Sequence, residues 1–286
     1  MEQTEKNKVE KSTLYLVGTP IGNLADMSER AKKVLSEVDF VAAEDTRNSL
    51  KLLNCYGIHT ELVSYHEHNR HESGERIVAR ILSGESCALI TDAGMPAISD
   101  PGEDLVRLCA DSGIAVRVVP GPSACVSALA LSGLGTQRFA FEGFLPAQKG
   151  ERKKRLEGVK SETRTMIFYE APHKLKATLA DMAQMFGDSR KISLCRELTK
   201  LNEETIRTTL GEAVKYYEER EPRGEYVLVV DGADGSEAQE SPLLSLSPEE
   251  HVAHYESQGM RRMDAIKAAA KDRGMSKSEL YKLLVE

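Results

Sequence analysis

Paired cysteines are the first thing this chain lacks. Its 286 residues hold five cysteines, at positions 55, 87, 109, 125 and 195, an odd number with no C-x-x-C pair. Scattered thiols of this kind point to reduced cysteines in a cytosolic protein and away from a disulfide framework or a cysteine metal site. No uncharged run approaches the roughly 18 apolar residues a spanning helix requires, so no membrane partner is expected. The opening segment MEQTEKNKVEKS is charged and has no hydrophobic stretch. It reads as a disordered arm over 1–12 and not as a secretory leader. A basic excess is missing too: 38 Lys and Arg face 45 Asp and Glu, for a net charge of −7. That balance argues against a surface coated in positive charge for naked nucleic acid.

What is present is organised around residues 13–31, TLYLVGTPIGNLADMSERA. An apolar β-rich run from Leu14 to Val17 meets a turn built on Gly18, Pro20 and Gly22. A helix follows, with Ser28 or Asp26 as N-cap and Glu29 in its first turn. A strand that stops at a glycine turn and feeds a helix is how α/β proteins bring bare backbone to a ligand. Three more Gly- or Pro-rich stretches follow apolar runs: SDPG at 99–102, PGPSA at 120–124 and FYEAPHKL at 168–175.

Strands read at 40–45, 61–65, 86–94 and from 116, and helices at 46–58, 77–82 and 103–112. HEHNRHES, over 66–73, reads as a polar loop. This alternation predicts a mainly parallel sheet covered on both faces. A second set follows, with strands at RFAFEGF, TMIFYE, ISLCREL and YVLVVDG and helices near 150–160, 173–186 and 211–219. Its longer connections leave room for an antiparallel sheet. The expected organisation is an α/β domain at 13–122, a second at 123–232, a polar linker at 233–248 and a small helical tail at 249–286. In the tail Ser247 and Ser276 open capping boxes with Glu250 and Glu279, and Gly259 and Gly274 break the segments.

Gly18 and Gly22, followed by Glu44 and Asp45 at the end of the second strand, suit a nucleotide site, with one acid on a ribose. However, GTPIGN is not G-x-G-x-x-G, and Pro20 stands where close phosphate approach favours glycine. His66, His68 and His71 have loose metal-like spacing but no Cys or carboxylate framework, so no metal is expected. Lys149 and Arg152 to Arg155 form one basic cluster; Arg261, Arg262, Lys267, Lys271, Arg273, Lys277 and Lys282 form another. Each is either a solvated helix face or a phosphate-binding patch.

Together these motifs resemble the tetrapyrrole methylase superfamily. GTPIGNLADMSERA is similar to its first motif, with Asn23 where Asp is usual. DAGMPAISDPG, PGPSA and FYEAPHKL, with AAEDTR (42–47), EGFLP (142–146), RELTK (196–200) and GEYVLVV (224–230), are similar to the branch that modifies ribosomal RNA. The resemblance spans residues 13–232. It implies two α/β domains of tetrapyrrole-methylase type with the cofactor in the cleft between them, assembled as a homodimer. It also implies S-adenosylmethionine-dependent 2′-O-methylation of cytidine 1402 in the 16S RNA of the small ribosomal subunit. Carried over motif by motif, cofactor contacts fall on Pro20, Gly94, Met95, Pro96, Ala97, Ile98, Ser123, Ala124, Tyr169 and Leu198.

A sulfonium donor is positively charged, and its methyl must lie in line with the attacking oxygen. Carboxylates and backbone carbonyls therefore suit it, and no metal is required. Candidates for a base or a substrate anchor are Glu44, Asp45, Asp100, Glu170 and Glu197, each of which equally suits a cap or an ion pair. Candidates for RNA phosphate are Arg47, Lys149, Arg152, Lys153, Lys154, Arg155 and Arg196. Two rivals stay open: a superfamily methylase acting on a tetrapyrrole or protein residue, and a non-catalytic RNA-binding assembly factor, which Asn23 keeps in play.

Overall fold

The first strand, β1 (Thr13–Val17), is apolar on both sides because both its faces are covered. Tyr15 and Val17 join one buried cluster, while Leu14 joins another. In this computed structural model, which describes residues 8–234, 243, 246–273 and 275–284, β1 leads through a short 3-10 turn into α1 (Glu29–Glu37). Ser28 caps α1 by accepting from the Ala31 amide. There follow β2 (Phe40–Ala43), α2 (Thr46–Cys55), β3 (Glu61–Ser64), α3 (Arg70–Leu82), β4 (Cys87–Ile90), α4 (Gly102–Asp111), β5 (Ala115–Val119) and α5 (Ala124–Ser132). The sheet is parallel throughout, in the order β3-β2-β4-β1-β5. Helices α1 and α2 seal one face and α3 and α4 the other. Such two-sided burial is why these strands read as continuous apolar runs.

The second sheet is mixed. Its strands are β6 (Phe139–Phe144), β7 (Thr165–Glu170), β8 (Lys191–Arg196), β9 (Glu204–Thr209) and β10 (Tyr226–Val230), in the order β6-β7-β10-β8-β9. Only β6 and β7 run parallel; the remaining pairs are antiparallel. Helix α5 packs on one face, against Ile167, Cys195, Val227 and Val229. Helices α6 (Lys149–Gly158), α7 (Pro172–Phe186) and α8 (Leu210–Glu218) complete this half. Beyond it come α9 (Pro248–Ser257), α10 (Arg262–Asp272) and α11 (Lys277–Leu283). Both expected capping boxes are formed there, by Ser247 with Glu250 and Ser276 with Glu279. These helices bury their own cluster of Val252, Ala265, Ile266, Ala269, Ala270 and Leu280.

The chain divides into two compact units. One spans 1–157 and 164–231 and carries both sheets; the other spans 158–163 and 232–286 and carries the last three helices. Among the described residues, no helix is long and apolar enough to cross a membrane. Residues 1–7 of the expected N-terminal arm, most of the expected linker and Gly274 lie outside the described residues.

Two local expectations need correcting. The loop read over 66–73 is too long, because α3 begins at Arg70. Its first turns are polar, so no apolar period announces them. Strand β9, ETIRTT, was not expected at all. It is an edge strand with only partial burial, so it carries no apolar run.

Candidate active site

Three glycine corners of the first sheet are tied to one another at the carboxyl ends of its strands, where open α/β sheets bind ligands. The Gly18 amide donates to the Val119 carbonyl, and Thr19 and Gly94 exchange a pair of backbone hydrogen bonds of 2.9 and 3.2 Å. Gly18 and Gly121 pack main chain against main chain: a Cβ on Gly18 would lie 2.7 Å from the Gly121 Cα. Gly22 faces the second half of the unit, where an added Cβ would lie 2.9 Å from Thr199 Oγ1. Glycine is therefore demanded by contact here, as its density in the sequence suggested.

A cleft of about 630 Å³ opens between these corners and the edge of the second sheet. Of the cofactor residues expected from the resemblance, Gly94, Met95, Ile98, Ser123, Ala124, Tyr169 and Leu198 line it. Pro20 and Pro96 are buried within the corners instead, and the Ala97 amide is taken by Asp100 Oδ1 at 3.0 Å. These three shape the wall rather than face the space.

Backbone strain is concentrated here. Among the described residues five that are not glycine have positive φ, and four of them lie in the two loops bounding the cleft: Ala97 (66°), Ser99 (63°), Glu197 (51°) and Thr199 (66°). Such conformations cost of order 1–3 kcal/mol each and cluster where a site must be held in a fixed shape.

Six carboxylates line the cleft, from Glu44, Asp92, Asp100, Glu170, Glu197 and Glu225, against one lysine, Lys200. They differ in what they are already doing. Glu170 is buried and spends both oxygens, on the Ala171 amide and the Thr178 hydroxyl. Glu197 accepts from Lys200 Nζ at 2.9 Å and from the Glu225 amide, and the lysine foremost holds its pKa below the usual value. Burial opposes the charge on Lys200, but hydrogen bonds to Glu225 and Glu197 outweigh it and raise its pKa. Glu44 accepts a single bond here, from Thr91 Oγ1 at 2.9 Å. Asp100 uses Oδ1 on the Ala97 and Gly102 amides, while its Oδ2 is buried with no hydrogen-bond partner among the described residues.

Asp45, the remaining catalytic candidate, does not line the cleft. It caps α2 through the Arg47 amide, and the Arg47 guanidinium holds its pKa at about 2.

The basic cluster on α6 is not one surface. Arg152 is buried and pairs with the equally buried Asp181 at 2.7 Å, which removes it from the RNA-facing set. Lys153 donates to Gln184 and lies 3.9 Å from Asp181, and Arg155 donates to Glu142, which leaves Lys149 and Lys154 exposed and without an ion pair among the described residues. Arg47 is paired with Asp45, and Arg196 lies 3.4 Å from Glu204.

The sequence reading missed Asp92, Phe144, Lys200 and Glu225 in the cleft wall. Asp92 and Lys200 lie inside motifs it had already marked. Phe144 and Glu225 do too, in EGFLP and GEYVLVV, but a motif does not say which of its side chains face the space.

The sequence matches the Tetrapyrrole (Corrin/Porphyrin) Methylases over residues 13–214. Ribosomal RNA small subunit methyltransferase I of Halalkalibacterium halodurans is 50% identical over 283 residues, which cover 99% of this chain and 98% of the relative. The protein of the same name from Bacillus subtilis is 49% identical over 276 residues, 96% and 94% of the two chains. Among solved structures, a cobalt precorrin-4 methyltransferase superposes with a TM-score of 0.57 at 16% identity, over 77% of this chain and 95% of the other. A diphthine synthase gives 0.57 at 15% identity, over 77% and 90%. At such identities the likeness is one of fold. The chain thus belongs to the tetrapyrrole methylase family and, within it, to the ribosomal RNA small subunit methyltransferase I group.

Proposed function

We propose that the chain transfers a methyl group from S-adenosylmethionine to the 2′-hydroxyl of cytidine 1402 in 16S ribosomal RNA, acting in the cytoplasm as a homodimer on the small ribosomal subunit. The observation that carries this reading is the charge of the cleft: six carboxylates against one lysine, on apolar walls that include Ile21, Met95, Ala124 and Leu198. That lining fits a compact cationic ligand with apolar parts, and its volume suits a cofactor-sized molecule. It disfavours phosphate. RNA phosphates would stay outside it, on exposed cations such as Lys149 and Lys154, while a neutral ribose enters. When bound, the donor supplies an electrophilic methyl on a positively charged sulfur.

The chain's own residues do the rest. The locked corners and the left-handed loops hold the reacting groups in line, and such positioning is worth roughly 7–11 kcal/mol of barrier. Glu44, Asp100 and Glu197 each keep one carboxylate oxygen without a hydrogen bond among the described residues, and they supply negative potential to the cationic ligand. Glu170 spends both oxygens on the Ala171 amide and the Thr178 hydroxyl, and Asp45 caps α2 outside the cleft.

The test is to map ribose methylation in small-subunit RNA from cells with and without this gene, alongside labelled-donor assays on purified subunits. One 2′-O-methylated cytidine, lost with the gene and restored by the enzyme, is the expected result. An unchanged methylation map overturns the reading.

A further inference from the structure

Strand β6 holds one residue too many. It pairs with β7 as Phe139 with Thr165, Ala140 with Met166 and Phe141 with Ile167, and then the register slips to Gly143 with Phe168 and Phe144 with Tyr169. Glu142 is the extra residue, and its carboxylate is nearly buried and bonded to the Arg155 guanidinium at 2.6 Å. Because side chains alternate along a strand, a single added residue moves everything after it to the other face. With an unbroken register, Gly143 would stand opposite Tyr169 and Phe144 would point away from the cleft.

The bulge instead sets Phe144 beside Tyr169, ring centres 5.4 Å apart at 62°. Gly143 bears the bend with φ of 66°, where a side chain would be strained.

Tyr169 is a rigid support. Its ring packs edge-on against Phe141 at 5.0 Å, and its hydroxyl accepts from the Cys125 amide at the start of α5. Phe144 nevertheless stays 59% exposed while lining the cleft. A phenyl ring needed only for packing would be turned inward. This one is turned out by a dedicated backbone irregularity, fixed along one side and open to the space.

A flat apolar surface held this way fits a flat ring. We propose that Phe144 is a stacking platform for a nucleobase in the cleft, seating the base of the nucleotide whose ribose is methylated. This rests on the function proposed above. Proteins that act on single-stranded or splayed-out nucleotides use exposed aromatic faces in this way, because every base has a π-face to offer. The adenine of the methyl donor has the same chemistry, so the experiment separates the two sources.

Full-length F144A, F144L and F144Y are compared with the parent. S-adenosylmethionine affinity is measured by calorimetry, small-subunit affinity by filter binding, and kcat and KM by labelled methyl transfer. Thermal unfolding confirms that each variant is folded. F144A and F144L are expected to weaken subunit affinity and raise KM by roughly 5–150-fold, as loss of one stacked base does, with donor affinity unchanged. F144Y, which keeps the ring, retains affinity. Loss of donor affinity instead of subunit affinity upholds the platform with adenine as its occupant. F144A matching the parent in both affinities overturns it, as does F144L matching the parent, since an aliphatic side chain cannot stack. If the parent transfers no methyl to RNA, the functional reading fails by itself. Donor affinity of F144A then still decides whether a ring stacks on Phe144.

Discussion

The two sheets build the cleft in opposite ways. The parallel sheet contributes corners of bare main chain, where Gly18 meets Gly121 and Thr19 pairs with Gly94. The mixed sheet contributes side chains: Tyr169 and Phe144 from neighbouring strands, and the Glu197–Lys200–Glu225 cluster from the loops after β8 and before β10. A wall of main chain admits almost no substitution, since any side chain collides. A wall of side chains admits change in chemistry while its strands keep their places. The first half thus suits a ligand common to a family, and the second half suits whatever differs among its members.

Four experiments test the contrast between the two walls. The largest effect is expected in the mixed-sheet half, at the buried Arg152–Asp181 pair between α6 and α7. R152A leaves the Asp181 carboxylate buried without its arginine and is expected to cost about 3–5 kcal/mol in denaturant unfolding. A cost near zero would mean that Arg152 is a surface residue after all. Next is G18A, whose Cβ would meet Gly121 main chain. Overpacking of this kind is expected to cost about 1–3 kcal/mol and to abolish donor binding by calorimetry. Full donor binding in G18A would remove the contrast between the two walls.

E197Q comes third, with an expected cost of about 1 kcal/mol for a partly solvated charge-assisted bond. Glu197 has its pKa lowered by folding, so its contribution is complete above the unfolded value near 4.5 and fades as pH falls through the lower folded one. The stability gap between parent and E197Q should accordingly close in acid, as urea titrations at several pH values will show. A gap that widens in acid would give the Glu197–Lys200 bond the wrong sign.

The smallest effect on the fold is expected for K149E with K154E, both exposed and free of ion pairs among the described residues. Donor affinity should stay constant while the salt dependence of subunit binding becomes shallower, by a slope of about 1–2 for two lost phosphate contacts. Equal losses of donor and subunit affinity would place these lysines in the cleft wall instead.

Much of the parallel half was legible in the sequence because its physics is local. Apolar runs ending in glycine corners announce buried parallel strands, and Ser28, Ser247 and Ser276 mark helix starts by their own chemistry. The mixed half was harder to read. Strand β9 pairs through its backbone while offering Thr, Glu and Arg to partial solvent, so no apolar pattern betrays it. Arg152 sits four residues before the buried Leu156, a helical spacing that hinted at its inward face. Its partner Asp181 lies on another helix, beyond the reach of any window. The slip at Glu142 is invisible for the same reason, since a bulge is defined by the neighbouring strand and not by its own residues. Which carboxylates are spent, and which have an oxygen to spare, likewise depends on partners brought in from elsewhere in the fold.

The acidic lining carries a consequence for turnover. A crevice in which six carboxylates outnumber a single lysine would hold a cationic occupant partly through its formal charge, and hold it less well once that charge is gone. If the occupant is the sulfonium donor proposed above, loss of its methyl would leave a thioether without that positive charge. The spent molecule would therefore lose its electrostatic tether as a direct result of the reaction, and the same residues that recruit fresh donor would clear the used one without any moving part.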